Sequence, residues 1–168
     1  MISIFTQNII RFFILVLIQV LLLNNIHFSG FVNPYIYILF ILLLPFETPG
    51  WLLILIGFFT GITIDLFSGT MGMHATATTF AAYARPFVLK VIAPRDGYES
   101  RTQPTLRYYD MAWIIRFSVI LILIHHSSLF FIEVFRFSDF FYTILRIFLS
   151  SIFTFILIII SQLLFYKK

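Results

Sequence analysis

Three residue types of a nucleophilic triad lie close together in the chain, at Asp65, Ser68 and His74. A carboxylate, an imidazole and a hydroxyl catalyse acyl transfer when the imidazole is held between the other two groups. Ser68, however, stands in the sequence Leu-Phe-Ser-Gly-Thr, which is not the Gly-x-Ser-x-Gly elbow that positions a nucleophile. Closeness in sequence does not supply the required geometry. We therefore expect no catalytic residues and no enzymatic activity.

A metal site is the second chemistry that these residue types suggest. His74, His125, His126 and Asp65 fall at a common depth if the chain forms membrane-spanning helices. Adjacent histidines point about 100° apart on a helix, and no His-x-x-x-His pair exists to bring two rings to one face. The chain also has no cysteine, so we expect neither a metal nor another cofactor. His125 and His126 are interpreted as interfacial histidines at a helix end.

Two glycines share a helical face with the carboxylate. Gly57, Gly61 and Asp65 follow one another at intervals of four residues, so they stack on one side of a helix. Small residues at this spacing let two helices approach closely in a membrane. We expect the neighbour to be the alanine- and threonine-rich helix of the same chain, although an interface with another protein uses the same pattern. A turn should follow, formed by residues suited to it: Ser68, Gly69 and Gly72.

Composition places these residues in a membrane. The chain has 168 residues, of which 61% are hydrophobic and 11% charged, and its mean hydropathy is +1.03. Such a chain has too little polar surface for a soluble globule. Its basic residues flank apolar segments and form no patch with interleaved aromatics, so no nucleic-acid partner is expected. The sequence predicts an all-α polytopic membrane protein in contact with lipid.

Apolar segments divide the chain into six expected transmembrane helices. The first should be retained, since no small-residue cleavage site of a signal peptide follows it. The second is short for a hydrocarbon layer of ~30 Å, and a re-entrant segment is its alternative. The fourth should be central because of its small residues, with Arg85-Pro86 kinking or interrupting it. The expected bounds are 8–24, 31–46, 51–68, 71–92, 111–131 and 140–166, in a single domain (1–168) with an exposed cytoplasmic loop at 93–110.

Basic residues predict the orientation. Arg11, Arg85 and Arg116 lie near one side of this arrangement, and only Arg136 and Arg146 lie toward the other. The basic side is expected to be cytoplasmic, which puts both termini inside and Asp65 with the turn after it toward the outer face. The clearly placed basic residues of the cytoplasmic side are these: Lys90, Arg95, Arg101, Arg107, Lys167 and Lys168.

Charges within the spans need partners. An ionised group at membrane depth costs ~2.5–3.5 kcal/mol or more. Asp65 and Arg146 are both expected about 8–9 Å below the outer interface, so we predict that they pair. A hydrogen bond between His74 and Asp65 across the turn is the competing arrangement. Arg85 should either anchor the inner end of helix 4 or bind an acidic partner.

One stretch resembles a known family. It reads Gly61-x3-Asp65-x2-Ser68-Gly69-x2-Gly72-x2-Ala75. With its place between a glycine-bearing third helix and a small-residue fourth helix, and with the chain's length and six expected spans, it resembles the rod shape-determining protein MreD family. The resemblance implies a fold similar to the six-helix substrate-capture subunits of vitamin importers.

The resemblance also implies a function. It points to a non-enzymatic scaffold in the bacterial inner membrane, within the cell-elongation (rod) complex that governs cell shape and peptidoglycan synthesis along the side wall. The implied partners are an MreC-like bitopic protein, an MreB-like filament and a peptidoglycan polymerase and transpeptidase pair. The alternative is a small-molecule-binding membrane subunit of a transporter, with an outer-side polar pocket around Asp65, His74 and His125.

Overall fold

The computed structural model describes residues 4–25, 32–99, 102–134 and 140–165. These residues form α-helices and no strand, so the predicted all-α class is confirmed. Among the described residues, four stretches are long and apolar enough to cross a membrane: Ile4–Asn25, Gly50–Ser68, Met111–Val134 and Phe140–Leu164. The helices are α1 (Ile4–Leu21), α2 (Ile38–Leu42), α3 (Gly50–Ser68), α4 (Met73–Val91), α5 (Met111–Val134) and α6 (Phe140–Leu164), with a 3₁₀ turn at Leu23–Asn25.

The second predicted span, 31–46, is not a spanning helix. Within its described part, only the five residues of α2 are α-helical, a length of about 7.5 Å. The residues before α2 are irregular or form a turn. Every side chain from Ile36 to Leu44 is buried. Irregular backbone is tolerated at membrane depth only where protein covers it, and the other helices provide that cover here.

The segment 32–46 nevertheless runs from one end of the bundle to the other. At one end, Tyr37 contacts His74 at the start of α4. At the other end, Phe46 stacks on Tyr98, which follows α4, with ring centroids 4.3 Å apart. We call these the turn end, which carries residues 69–72, and the loop end, which carries residues 92–99 and 102–110.

Helix α4 packs between α3 and α5, and two glycines let it approach α3 closely. A Cβ atom added at Gly57 would lie 2.8 Å from the Cβ of Ala82. At Gly61 the added atom would collide with the backbone of His74 and Ala75, lying 2.6 Å from the amide nitrogen of Ala75. The prediction that this glycine face packs against helix 4 is confirmed. Pro86 does not end α4, which continues to Val91.

The polar segment at the loop end is partly folded onto the bundle rather than wholly exposed. The Tyr98 hydroxyl donates to the carbonyl of Leu89 at 2.7 Å, and the indole N–H of Trp113 donates to Ile92 at 3.0 Å. Gln162 of α6 donates to the carbonyl of Pro104 at 3.2 Å. Burial raises the pKa of the Tyr98 hydroxyl above its usual value. The exposed loop was predicted from the polar residues of this segment, whereas its aromatic side chains, such as Tyr98, pack on the bundle.

Candidate functional site

Asp65 closes the turn between α3 and α4. Its carboxylate accepts hydrogen bonds from the backbone N–H groups of His74, at 3.0 Å, and Ala75, at 2.9 Å, and from the Thr70 hydroxyl. The first N–H groups of a helix have no partner within the helix, and a negative charge is favoured beside them. Asp65, at the end of one helix, thus caps the next.

The turn itself depends on glycine. Gly69 has φ 67° and Gly72 has φ 79°, in the left-handed region that side chains with a Cβ atom rarely adopt. Gly69 ends α3 and Gly72 precedes α4, so the two glycines reverse the chain and bring the amides of α4 over Asp65. The spacing of the motif is therefore explained by a capped helix–turn–helix corner.

The predicted Asp65–Arg146 pair is wrong. Arg146 Nη2 donates to both carboxylate oxygens of Glu133, at 3.1 and 3.2 Å, and the guanidinium lies 4.5 Å from the ring centroid of Phe130. Helix α5 extends to Val134, beyond its predicted end at residue 131, and this extension carries Glu133 alongside α6. The competing arrangement also differs from expectation, because His74 reaches Asp65 through its backbone amide and not through its ring.

A buried tyrosine joins two helices through their histidines. The Tyr37 hydroxyl oxygen lies 2.9 Å from Nδ1 of His74 in α4 and 2.7 Å from Nε2 of His125 in α5. Tyr37 is fully buried and His74 is only 4% exposed. His125 and His126 were predicted to be interfacial, but that prediction is wrong, because both side chains are completely buried. The tyrosine–histidine network comprises Tyr37, His74, His125, His126 and Thr154.

A single carbonyl determines which nitrogen of His126 carries the hydrogen. The oxygen of Ile122 can only accept, so His126 Nδ1, 3.0 Å away, is the donor. In the neutral ring that burial favours, Nε2 is then an acceptor, and it accepts from the Thr154 hydroxyl at 3.1 Å. Thr154 accepts in turn from the backbone N–H of Tyr35 at 2.9 Å. Every group at this end of the network is thus consistently paired.

The assignment continues through Tyr37 to the other end of the network. His125 Nδ1 lies 3.3 Å from His126 Nδ1, where a second hydrogen would face the one on His126, so the His125 hydrogen is on Nε2. His125 Nε2 donates to the Tyr37 oxygen, and the Tyr37 hydroxyl donates to His74 Nδ1. The neutral His74 ring therefore carries its hydrogen on Nε2, which has no hydrogen-bond partner in the described part of the chain.

The residues of the hypothetical triad are not assembled as one. The carboxylate of Asp65 meets the backbone of His74, the ring of His74 meets Tyr37, and the hydroxyl of Ser68 accepts from the amide of Asn24 at 3.0 Å. The histidine rings are likewise engaged with one another and with hydroxyls. Across the described ranges, no group of three or more histidine or acidic side chains is arranged to hold a metal ion.

Arg85 lies inside the bundle at the loop end. Its side chain is completely buried, and Nη2 donates to the carbonyls of Leu44 and, at 3.5 Å, Leu42. These carbonyls lie at the C-terminal end of α2, where a cation is favoured. Neither expected role is seen, because Arg85 is buried inside the bundle and forms no ion pair with an acidic side chain among the described residues. Arg85 instead ties the crossing segment to α4.

A polar cavity of about 390 Å³ opens at the turn end, between α1, the crossing segment, the end of α3, α4 and α5. Of the three residues around which a pocket was expected, His74 lines it, whereas Asp65 and His125 do not. Sequence reasoning missed Gln19, Asn33 and Tyr35, which line it as well. Gln19 interrupts an apolar helix, a signal that could have been read. No protein-family model, curated protein or solved structure matches this chain.

Proposed function

We propose that this chain is a non-enzymatic scaffold of the bacterial cell-elongation complex in the inner membrane. The α3–α4 corner carries the proposal. Its motif residues, on which the resemblance to the MreD family rests, all have structural roles: Gly61 admits the backbone of α4, and Asp65 caps that helix. The polar groups of this corner form hydrogen bonds within the chain, which is what we expect of a structural element in a scaffold.

The surface of the helix bundle that faces away from its core supports the same proposal. Large apolar side chains point away from the bundle on several helices, among them Phe13 of α1, Phe59 of α3 and Phe148 of α6, each more than half exposed. In a membrane such faces meet lipid or the helices of other proteins. The proposed partners are an MreC-like bitopic protein, an MreB-like filament and a peptidoglycan polymerase and transpeptidase pair. Both termini are proposed to be cytoplasmic, following the distribution of basic residues.

Affinity purification of the full chain from native membranes tests the scaffold proposal. We expect the bound proteins, identified by mass spectrometry, to include a bitopic membrane protein and enzymes of peptidoglycan synthesis. An equally tagged, unrelated polytopic protein from the same membranes is the control. Recovery of no elongation protein above that control, from membranes in which the chain is folded and abundant, would contradict the proposal.

The polar cavity favours a second candidate function, a small-molecule-binding subunit of a transporter. It lies at the turn end, the side that the basic residues predict to be outer, and it contains His74 as the alternative expected. If the chain has this function, energy-coupling transporter subunits should co-purify with it. The same purification therefore separates the two candidates by the class of protein recovered.

A further inference from the structure

The described wall of the turn-end cavity is polar but electrically balanced. Glu133 is the one residue with a formal charge among the described lining side chains, and it is paired with Arg146 at 3.1 Å. The nearby carboxylate of Asp65 is occupied by backbone amides and lies outside the lining. A charged ligand would therefore find no free opposite charge here, and its transfer from water would be uncompensated. The balance favours an uncharged ligand.

Carboxamides are the most frequent polar groups of the described lining. They belong to Gln19, Asn24, Asn25 and Asn33. Each carboxamide has both donors and an acceptor, and some of these are used within the chain: Asn24 accepts from Gln19 at 2.9 Å and donates to Ser68 at 3.0 Å. The ligand groups that match such a wall at several points are those that also donate and accept, which hydroxyl groups do.

Gln19 has an acceptor that the described chain leaves unused. Its Nε2 donates to Asn24 Oδ1 at 2.9 Å and to the carbonyl of Pro34 at 3.2 Å, which fixes the orientation of the amide. The remaining Oε1 is buried with no hydrogen-bond partner, and the residue is 1% exposed. Buried acceptors without partners are uncommon in native structures. Because the oxygen is itself buried, a ligand in the cavity satisfies it only if the amide turns toward the cavity.

His74 provides the complementary donor. The tyrosine–histidine network leaves its hydrogen on Nε2, and His74 lines the cavity. The network is anchored at its far end to the carbonyl of Ile122, so this tautomer is set by the fold and not by the ligand. The cavity is thus lined by a residue of α1 with an unused acceptor and by a residue of α4 with an unused donor.

We propose that the turn-end cavity binds an uncharged, polyhydroxylated ligand the size of one sugar ring, which donates to Gln19 Oε1 and accepts from His74 Nε2–H. The volume of about 390 Å³ lies within the ~300–1,000 Å³ of ligand pockets and corresponds to about thirteen waters. The ring is either a free sugar or the headgroup of a glycolipid, because both offer the same hydroxyls. In a scaffold this site would be an additional property, and in a transporter subunit it would be the substrate site. The proposal itself is argued from the cavity and does not depend on which function is correct.

Thermal unfolding of the full-length protein in detergent tests the free-sugar source. Glucose and N-acetylglucosamine are the probes, and glucuronate and glucosamine are their charged counterparts. A neutral probe at 100 times its Kd should raise Tm by about 5 °C or more, and the charged counterparts should raise it less. Equal shifts from charged and neutral probes would overturn the proposal.

Nanodiscs with and without monoglucosyldiacylglycerol test the glycolipid source, with native mass spectrometry to detect retained lipid. If a free neutral sugar and the glycolipid both bind, the sugar ring is sufficient for binding. If only the glycolipid is retained, the site recognises a lipid headgroup. Both results support the proposal, whereas no response to either neutral sugar and no retained glycolipid overturn it. Because partner purification is measured separately, failure of the ligand site leaves the scaffold proposal standing or falling by its own result.

A filling substitution locates the ligand. Val20 lines the cavity, whereas Leu17 on the same helix is 53% exposed and does not. Val20→Phe should abolish the Tm shift or the lipid retention, and Leu17→Phe should preserve it. If Val20→Phe does not fold, Gln19→Met, which removes the unused acceptor at similar size, should weaken binding at least tenfold. Binding that survives the folded variant undiminished would place the ligand elsewhere and contradict the proposal.

Discussion

The Tyr37 hydroxyl oxygen lies 2.7 Å from Nε2 of His125, and this contact attaches the irregular crossing segment to α5. The same hydroxyl binds Nδ1 of His74 at 2.9 Å, so one atom links the segment to two helices. With the contacts of Arg85 to Leu44 at the loop end, the segment is held by polar groups at both ends. Side-chain hydrogen bonds to neighbouring helices therefore hold this segment in the bundle, whereas the other segments that cross the bundle are regular helices.

Removing that hydroxyl should destabilise the fold. Tyr37→Phe leaves the two ring nitrogens of His74 and His125 without their partner, at a cost of about 1–3 kcal/mol. Thermal unfolding in detergent measures the loss as a lower Tm. Tyr83→Phe is the matched control, because Tyr83 is 53% exposed and its hydroxyl is not in the network. Equal melting of the two variants would show that the network adds nothing to stability.

Arg146 should couple energetically to Glu133 and not to Asp65. In double-mutant cycles, Glu133→Gln with Arg146→Met should deviate from additivity by at least about 0.5 kcal/mol, since the two side chains form an ion pair. Asp65→Asn with Arg146→Met should be additive within about 0.5 kcal/mol, because their partners are separate. Unfolding free energies of the single and double variants provide the test. A strong coupling between Asp65 and Arg146 would contradict the observed partners.

Alanine substitutions in α3 should distinguish a packed glycine from an open one. Gly61→Ala forces a methyl group against the backbone of His74 and Ala75, so about 1–3 kcal/mol of destabilisation is expected from overpacking. Gly50→Ala, in the same helix, meets no atom within 4 Å and should be neutral or slightly stabilising. The folded fraction recovered from membranes by size-exclusion chromatography reports the difference. Equal recovery of both variants would show that α3 and α4 separate without cost.

Reporter insertions should establish the orientation. A reporter placed near Glu99 or after Lys168 should report cytoplasm, and one placed near Phe137 should report the outside, because basic residues concentrate on the first side. Paired alkaline phosphatase and green fluorescent protein fusions give opposite readouts of the same position. An outside signal at Lys168 together with an inside signal at Phe137 would reverse the predicted topology.

Local patterns in the sequence were sufficient for the class and for the α3–α4 pair. Composition predicted an all-α membrane protein, since apolar runs of this length must satisfy their backbone within helices. The four-residue spacing of Gly57 and Gly61 predicted a close helical neighbour, because spacing along a helix determines which residues share a face. Predicted bounds of 51–68 and 71–92 compare with Gly50–Ser68 and Met73–Val91 in the structure. These features depend on residues near one another in the chain.

Only the tertiary structure decided which polar groups meet. Hydropathy does not distinguish a helix that faces lipid from a segment covered by protein, so residues 31–46 were predicted to be a helix, although only Ile38–Leu42 of the described part are α-helical. The carboxylate of Asp65 accepts from backbone amides, which every non-proline residue has, so no side-chain type identified its partners. Glu133 reaches Arg146 because α5 continues three residues past its predicted end, to Val134. The tautomer of His74 depends on a carbonyl in another helix, and such long-range contacts exist only after the helices have packed.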